Sequence, residues 1–415
     1  MNAEALEVRL GDVRVGTLIR QQRYHCSFQL DPDYLALAHR PILGQEFEDR
    51  NPHRARISED SVPTWFSHLL PEQGGFLRDV VARQMGGEQL DDFNLLRQMG
   101  RDLPGAVRVL PMGWAEHDLE GAEPEHAPVA ANRRDGAISF ALAGIQAKWS
   151  MSRDKDRGLV LQGARGESAW LVKTPDAVYP HACENEFATM RWAEACGITT
   201  PPIDLIDTAD LHGLPANVPI HAGRAFAIER FDRTQHGRVH QEDFAQVLGR
   251  PVQGKYEGTS YEVLAALVLR LCGEEDFDEF LLRLVFCVAC GNADAHLKNW
   301  SLRYGDGIQA RLSPAYDLLS IVAYADALGR QELALPLNGS RAFAAVSARS
   351  WRKVARLAEM DEADLVRRVG SAASTVRDTW HRIRDEFVRE AGLGSDFTKA
   401  VEQHMARVPL LNSSS

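Results

Sequence analysis

The residues Gly291-Asn292-Ala293-Asp294-Ala295-His296-Leu297-Lys298-Asn299 follow the apolar helical run Leu281 to Cys290 and precede the strand-like Trp300 to Tyr304. Polar side chains of several kinds therefore crowd one short loop between two apolar elements. Phosphoryl transfer needs a carboxylate to orient the attacking hydroxyl, a cation or metal to screen the phosphates, and a second oxygen ligand to place that metal. Asp294, Lys298 and Asn299 can supply these roles. Four residues separate Asp294 from Asn299, the gap between base and magnesium ligand in the catalytic loop of protein kinases. Further on, Ser313-Pro314-Ala315-Tyr316-Asp317 offers Asp317 as the second magnesium ligand. One carboxylate and one amide oxygen suffice, because magnesium keeps water and substrate phosphate in its shell. Isolated Asn and Asp residues ordinarily cap helices and build turns; both segments, in this order, favour the chemical reading over that one.

Working outward, Trp170-Leu171-Val172-Lys173 reads as a strand that carries a lysine among apolar neighbours. In kinases such a lysine contacts nucleotide phosphates and pairs with a glutamate on the next helix. The following helix, Ala182 to Cys196, contains Glu184, Glu186 and Glu194. Glu186 is the choice, because it lies beside the apolar stripe of Phe187, Met190 and Ala193; a solvated surface glutamate is the competing reading. Between two candidate strands, Ala143-Gly144-Ile145-Gln146-Ala147-Lys148 could bring backbone N–H groups and Lys148 toward phosphates. By itself it is only a tight turn, since the chain has neither a Walker A pattern nor G-x-G-x-x-G. Cys287 and Cys290 have metal half-site spacing but sit in an apolar helical run without a second pair, so they read as buried thiols. His25, Cys26 and His240 likewise lack partners at metal-ligand spacing, and no structural metal is expected.

The 415 residues suit two or three domains at roughly 150 residues each. Hydrophobic content of 45% and charged content of 25% describe a soluble globular chain. The longest apolar runs fall short of the roughly 20 residues that cross a bilayer, and the N-terminus lacks a signal-peptide pattern, so the expected location is cytoplasmic. A net charge of -11 argues against nucleic-acid binding over the whole surface; DNA contact would need a partner. Residues 1–115 read as an N-terminal module. It opens with a β-hairpin about Gly11-Asp12, passes through helical stretches Phe76 to Met85 and Phe93 to Met99, and ends in the strand Val107 to Leu110. Residues 116–135 read as a linker. Short strands and one helix fill 136–234, and helices dominate 235–415. Strands before helices predict an α+β, two-lobed kinase-like fold with a β-rich and helical module in front.

With these segments in view, the chain resembles the HipA family of serine/threonine kinases, toxins of bacterial toxin–antitoxin pairs, over almost its full length. Gly11-Asp12-Val13-Arg14-Val15-Gly16, Asp91-Asp92-Phe93 and Gly105-Ala106-Val107 look like the family's N-terminal module. Ala143 to Lys148 resembles its phosphate loop, Glu184-Asn185-Glu186-Phe187 the start of its first kinase helix, and Glu229-Arg230-Phe231-Asp232-Arg233 its nucleotide-binding hinge. The resemblance implies ATP and Mg2+ as cofactors and Lys173 in contact with ATP. It further implies Asp294 as the base, with Lys298 in the catalytic loop, and Asn299 and Asp317 as magnesium ligands. Glu229, Arg230, Phe231, His296 and Tyr316 would join the ATP site. It also implies a protein substrate, with an aminoacyl-tRNA synthetase as a candidate, and a helix-turn-helix antitoxin that carries any DNA contact. One departure stands out: the family's Phe-Ser-Leu-Ala-Gly reads Phe140-Ala141-Leu142-Ala143-Gly144 here. Ala141 therefore replaces the serine whose autophosphorylation silences the family's kinases, and Ser139 is the nearby substitute. A small-molecule phosphotransferase and a catalytically idle co-repressor are the competing functions.

Overall fold

Leu6, Val8 and Leu10 are buried while their neighbours are not, the period of two that a strand with one covered face requires. They lie on β1 (Glu4–Leu10), which turns through Gly11, at φ 57°, into β2 (Val13–Gln22). With β3 (His25–Leu30), β4 (Arg56–Ser58) and β5 (Val107–Pro111) they form a five-stranded antiparallel sheet in the order β4-β3-β2-β1-β5. Helix α1 (Asp92–Met99), capped by the Asp91 carboxylate on the Asn94 amide, packs on it.

This computed structural model describes residues 4–22, 25–48, 51, 53–58, 61–72, 78, 91–113, 148–154, 158–161, 169–175, 179–214, 220–324 and 331–412. The expected linker 116–135, all but one residue of the helix Phe76 to Met85, and Ser139, Ala141 and Ala143 to Ala147 lie outside the described residues.

A second sheet combines β6 (Lys148–Asp154), β7 (Gly158–Leu161), β8 (Trp170–Lys173), β9 (Ile203–Asp207), β10 (Leu211–His212) and β11 (Arg224–Glu229) in the order β10-β7-β6-β8-β11-β9. Its two faces go to different cores. Trp149, Met151, Val172, Ala225 and Ala227 share a core with the N-terminal module. Leu171, Phe226 and Ile228 point the other way, into the core of α2 (Ala182–Ala195) and the helices beyond. The module is therefore fused to the sheet through apolar packing, rather than hung from it.

After a small ribbon, β12 (Arg233–Thr234) with β13 (Gly237–Arg238), the chain enters the helical lobe. Here β14 (His240–Asp243), β15 (Ser301–Tyr304) and β16 (Arg311–Leu312) form a three-stranded sheet beside α3 (Tyr261–Cys272) and α4 (Glu274–Cys290). Every residue from Leu284 to Cys290 is buried, which accounts for that run being apolar all round. Helix α4 starts at Glu274, ahead of the apolar run Leu281 to Cys290. Its first turn, Glu274-Glu275-Asp276, is charged and gives no apolar period, yet carboxylates are favoured at a helix N-terminus. The strand expected from Trp300 begins at Ser301.

The longest helix, α5 (Glu362–Glu390), buries Leu365, Val369, Ala372, Ala373, Val376 and Trp380 at spacings of three and four against α4 and α2, and α6 (Ser395–Met405) follows. The six cysteines are buried. Among the described residues no helix is long and apolar enough to cross a membrane. A sheet-plus-helix lobe on a helical lobe, behind a β-rich module, is the α+β two-lobed architecture expected from the sequence.

Candidate functional site

Strand register builds one wall of the cleft between the lobes. Lys148 on β6 pairs directly with Lys173 on β8, and directly opposed residues present their side chains on the same face. Both amines reach Asp317 in the helical lobe: Lys173 Nζ lies 2.5 Å from Oδ1 and Lys148 Nζ 3.8 Å from Oδ2. Lys173 also donates to both Glu186 oxygens, at 2.6 and 2.7 Å. Of the three glutamates on α2, Glu186 is the one brought to the lysine. Glu184 pairs with Arg224 at 3.6 Å and Glu194 with Arg191.

Burial penalises the charged form of each group, and the contacts decide which one yields. The paired carboxylates hold Lys173 above the ordinary lysine value despite its burial. Lys148 and Lys173 together hold Asp317 well below the carboxylate range. Glu186, fully enclosed, is pushed up by desolvation, and desolvation likewise pushes Lys148 down.

Helix α2 is locked to the segment after Asp317 by a reciprocal pair. Asn185 Nδ2 donates to the Ser320 carbonyl at 3.0 Å, and the Ser320 amide donates back to Asn185 Oδ1 at 3.0 Å. Asp317 itself has φ 58°, a left-handed conformation that aspartate tolerates better than most residues.

The segment Gly291 to Asn299 starts at Gly291, which ends α4 in the left-handed conformation at φ 65°, as helix-terminating glycines do. A Cβ there would sit 2.4 Å from Val322 Cγ1, so glycine is required on two counts. Asn292 then joins the two acidic segments. Its Oδ1 accepts the Asp294 amide at 2.9 Å and its Nδ2 donates to the Asp317 carbonyl at 3.4 Å.

The Asp294 side chain is 49% exposed at the cleft mouth. Its Oδ1 accepts the Tyr256 hydroxyl at 2.5 Å and lies 3.8 Å from His296 Nε2. The Asn299 side chain is buried nearby and donates to the Asp294 carbonyl at 2.7 Å. His296 is buried, edge-on to Tyr256, and its imidazolium form is disfavoured by desolvation. Lys298 has a different environment: its amine lies 3.2 Å from the His68 carbonyl, 3.3 Å from His68 Nδ1 and 3.6 Å from Asp243 Oδ2. It therefore ties the loop to the N-terminal module.

On the opposite wall lie Glu229, Arg230 and Phe231. The Phe231 ring stacks on Tyr316 at 5.8 Å, and among the described residues its backbone N–H and C=O have no hydrogen-bond partner. The Tyr316 hydroxyl shares a 2.6 Å bond with Ser301 and donates to the Lys298 carbonyl at 2.9 Å. The Arg230 guanidinium is turned toward Asp232 at 2.9 and 3.0 Å. These residues enclose a cavity of about 440 Å³, which His68, Leu69 and Glu72 of the N-terminal module also line. Sequence reasoning missed those three, Tyr256 and the bridging role of Asn292. The Asn-x-Asp spacing was a usable turn signal, whereas nothing local marks His68 as a neighbour of Lys298.

A family model described as the HipA-like C-terminal domain matches residues 140–387, and one described as the HipA N-terminal domain matches residues 6–110. The chain belongs to the HipA family. Relatives within it include "Putative kinase Y4dM" of Sinorhizobium fredii, 38% identical over 386 residues and covering 91% of this chain and 90% of that one. The "Serine/threonine-protein kinase toxin HipA" of Shewanella oneidensis is 27% identical over 375 residues, covering 80% and 78%. A solved Shewanella oneidensis complex of HipA, HipB and operator DNA superposes with a TM-score of 0.70 over 98% of this chain and 96% of that chain, at 22% identity. The fold is thus the kinase-like fold of HipA, module included.

Proposed function

We propose that this HipA-family chain is an ATP- and Mg2+-dependent serine/threonine protein kinase and the toxin of a toxin–antitoxin pair. The observation that carries this reading is the Lys173 amine held within 2.7 Å of both Glu186 oxygens and 2.5 Å of Asp317. Phosphoryl transfer is mostly positioning and charge stabilisation, and an amine so fixed is pre-organised to meet phosphate oxygens. Lys148 would add a second cation. The phosphate loop Ala143 to Ala147 would complete the cradle, and Glu229 to Phe231, His296 and Tyr316 would border the nucleotide.

Asn299 and Asp317 would hold magnesium. Their oxygens suit a hard cation. That donor set suits a metal that completes its shell with substrate phosphate and water. When bound, the ion would neutralise charge on the transferring group. Asp294, half exposed at the mouth, would accept the proton of the acceptor hydroxyl as that oxygen bonds to the γ-phosphorus and the bond to the ADP oxygen breaks. Lys298, held by His68 and Asp243, would serve by keeping the loop in place.

A helix-turn-helix antitoxin is the proposed partner, consistent with the HipB and operator DNA in the related complex, and the net charge of -11 favours DNA contact through it alone. The cytoplasm is the proposed location, and an aminoacyl-tRNA synthetase the proposed target on family resemblance. The test is phosphoproteomic comparison of cells expressing the unaltered chain and Asp294→Asn. Phosphosites that appear only with the unaltered chain support the kinase and name its target; identical phosphoproteomes overturn it in favour of an idle co-repressor.

A further inference from the structure

The hinge residues on either side of Phe231 are gripped by a loop of the N-terminal module. The Gly105 amide donates to Asp232 Oδ2 at 2.7 Å. Arg233 answers from the hinge, donating to the carbonyls of Gly105 and Leu103, both at 3.0 Å, and to Asp102 Oδ1 at 2.7 Å. Asp102 also lies 3.7 Å from Arg230 Nη1 and 3.6 Å from Arg238 Nη2. Asp232 takes Arg230 in a two-pronged pair and Arg233 at 2.9 Å. Arg230, Asp232 and Arg233 are at most 5% exposed.

Three guanidinium groups thus share two carboxylates, one from each side of the interface. Burial of this network makes each member dependent on the others, because a buried charge that loses its partner is costly. The loop can approach so closely only because Gly105 is at φ 74° and has no Cβ; an added Cβ would stand 2.8 Å from the Gln241 amide. Pro104, next to it, lines the same cavity as Phe231.

We infer that the loop Asp102 to Gly105 sets nucleotide affinity from outside the kinase lobes, with Asp102, Asp232 and Arg233 as positioning residues that hold Phe231 against the nucleotide. This rests on the cleft being a nucleotide site. The base edge of a nucleotide would meet the two peptide groups of Phe231, which have no hydrogen-bond partner among the described residues, and gains from them only if they are already in place; hinge motion therefore raises the dissociation constant without touching the groups that transfer phosphate. Asp102 is the lever, because its side chain is 17% exposed at the network's rim while its partners are enclosed.

The experiment uses the full chain with Asp102→Asn and, as a milder second variant, Arg238→Gln. Mg-ATP affinity is measured by calorimetry, turnover at saturating nucleotide by phosphate transfer, and amide hydrogen exchange by mass spectrometry without nucleotide. Replacing the Asp102 carboxylate by a neutral amide removes the charge from its hydrogen bond with Arg233 and should weaken Mg-ATP binding about tenfold. Turnover at saturation should stay within about twofold, since the transfer groups are untouched. Exchange should rise across residues 229–233 and stay unchanged in α4, which excludes general unfolding. Affinity unchanged in both variants, or weakened without faster hinge exchange, would overturn the inference. An unaltered chain that binds no Mg-ATP would instead overturn the nucleotide reading, with the exchange data still reporting on the clamp.

Discussion

Replacing Lys173 by Met separates what the buried charge cluster does for the fold from what it does for the site. Lys173 and Glu186 side chains are 5% and 4% exposed, and Asp317 is 25% exposed. Removing the amine leaves Glu186 enclosed without its hydrogen-bonding cation, whereas Asp317 retains Lys148 at 3.8 Å and some water. Breaking a buried pair by deleting one partner costs about 3–5 kcal/mol, and the partial compensation at Asp317 argues for the lower end. About 3 kcal/mol corresponds to a fall in Tm of roughly 3–4 °C for a chain of this length, read by calorimetry without nucleotide. Lys173→Met should also lose Mg-ATP binding. The decisive variant is the double substitution Lys173→Met with Glu186→Leu, which removes the stranded carboxylate and fills its volume. Most of the lost stability should return, because replacing a buried ion pair with apolar groups is often neutral, while nucleotide binding stays lost. If the double variant recovered Mg-ATP affinity along with stability, or if Lys173→Met were as stable and as tightly binding as the unaltered chain, the role assigned to Lys173 would be wrong.

Asp317→Ala should abolish the magnesium-dependent part of ATP binding, because the only charged ligand proposed for the metal is removed; calorimetry with and without magnesium checks this, and equal loss in both would mark the change as structural. Asp294→Asn should keep Mg-ATP affinity within a few-fold while turnover falls by about 10²–10⁴, the contribution of a positioned base; parallel loss of binding and turnover would refute that role. Glu242, buried and accepting from Tyr304, the Gln45 amide and Trp65, is pushed from 4.5 to about 7 by desolvation. Its folded value is raised, so its contribution is fully present below pH 4.5 and is lost as pH rises through 7, by up to about 3 kcal/mol; thermal melts from pH 4.5 to 8 should show a decline that Glu242→Gln flattens. Ala141→Ser should permit self-phosphorylation and time-dependent loss of activity in Mg-ATP, followed by intact mass, whereas an unaltered chain that phosphorylates itself at Ser139 and loses ATP affinity would show that control has moved rather than vanished.

The sequence by itself determined which chemistry could be assembled and in what order along the chain. Spacing from Asp294 to Asn299, the later Asp317, and Lys173 on a strand ahead of a glutamate-bearing helix are local patterns, and local patterns follow from backbone periods of two and 3.6 residues. The same periods made the hairpin at Gly11-Asp12, strand Trp170–Lys173, helix α2 and the apolar run of α4 legible. Helix α5 carries a regular apolar stripe, Leu365, Val369, Val376 and Trp380, whose partners in α4 and α2 only the tertiary structure supplies. The apolar stripe of Phe187, Met190 and Ala193 already favoured Glu186 over Glu184, and strand-to-helix packing brought its carboxylate to Lys173. Tertiary structure alone paired Lys148 with Lys173, because register depends on how two strands meet and not on either strand. It also turned Lys298 toward His68 and Arg233 toward Asp102, contacts spanning 230 and 131 residues of chain. Such contacts leave no local trace, because a buried charge constrains its partner's position in space and not its position in sequence.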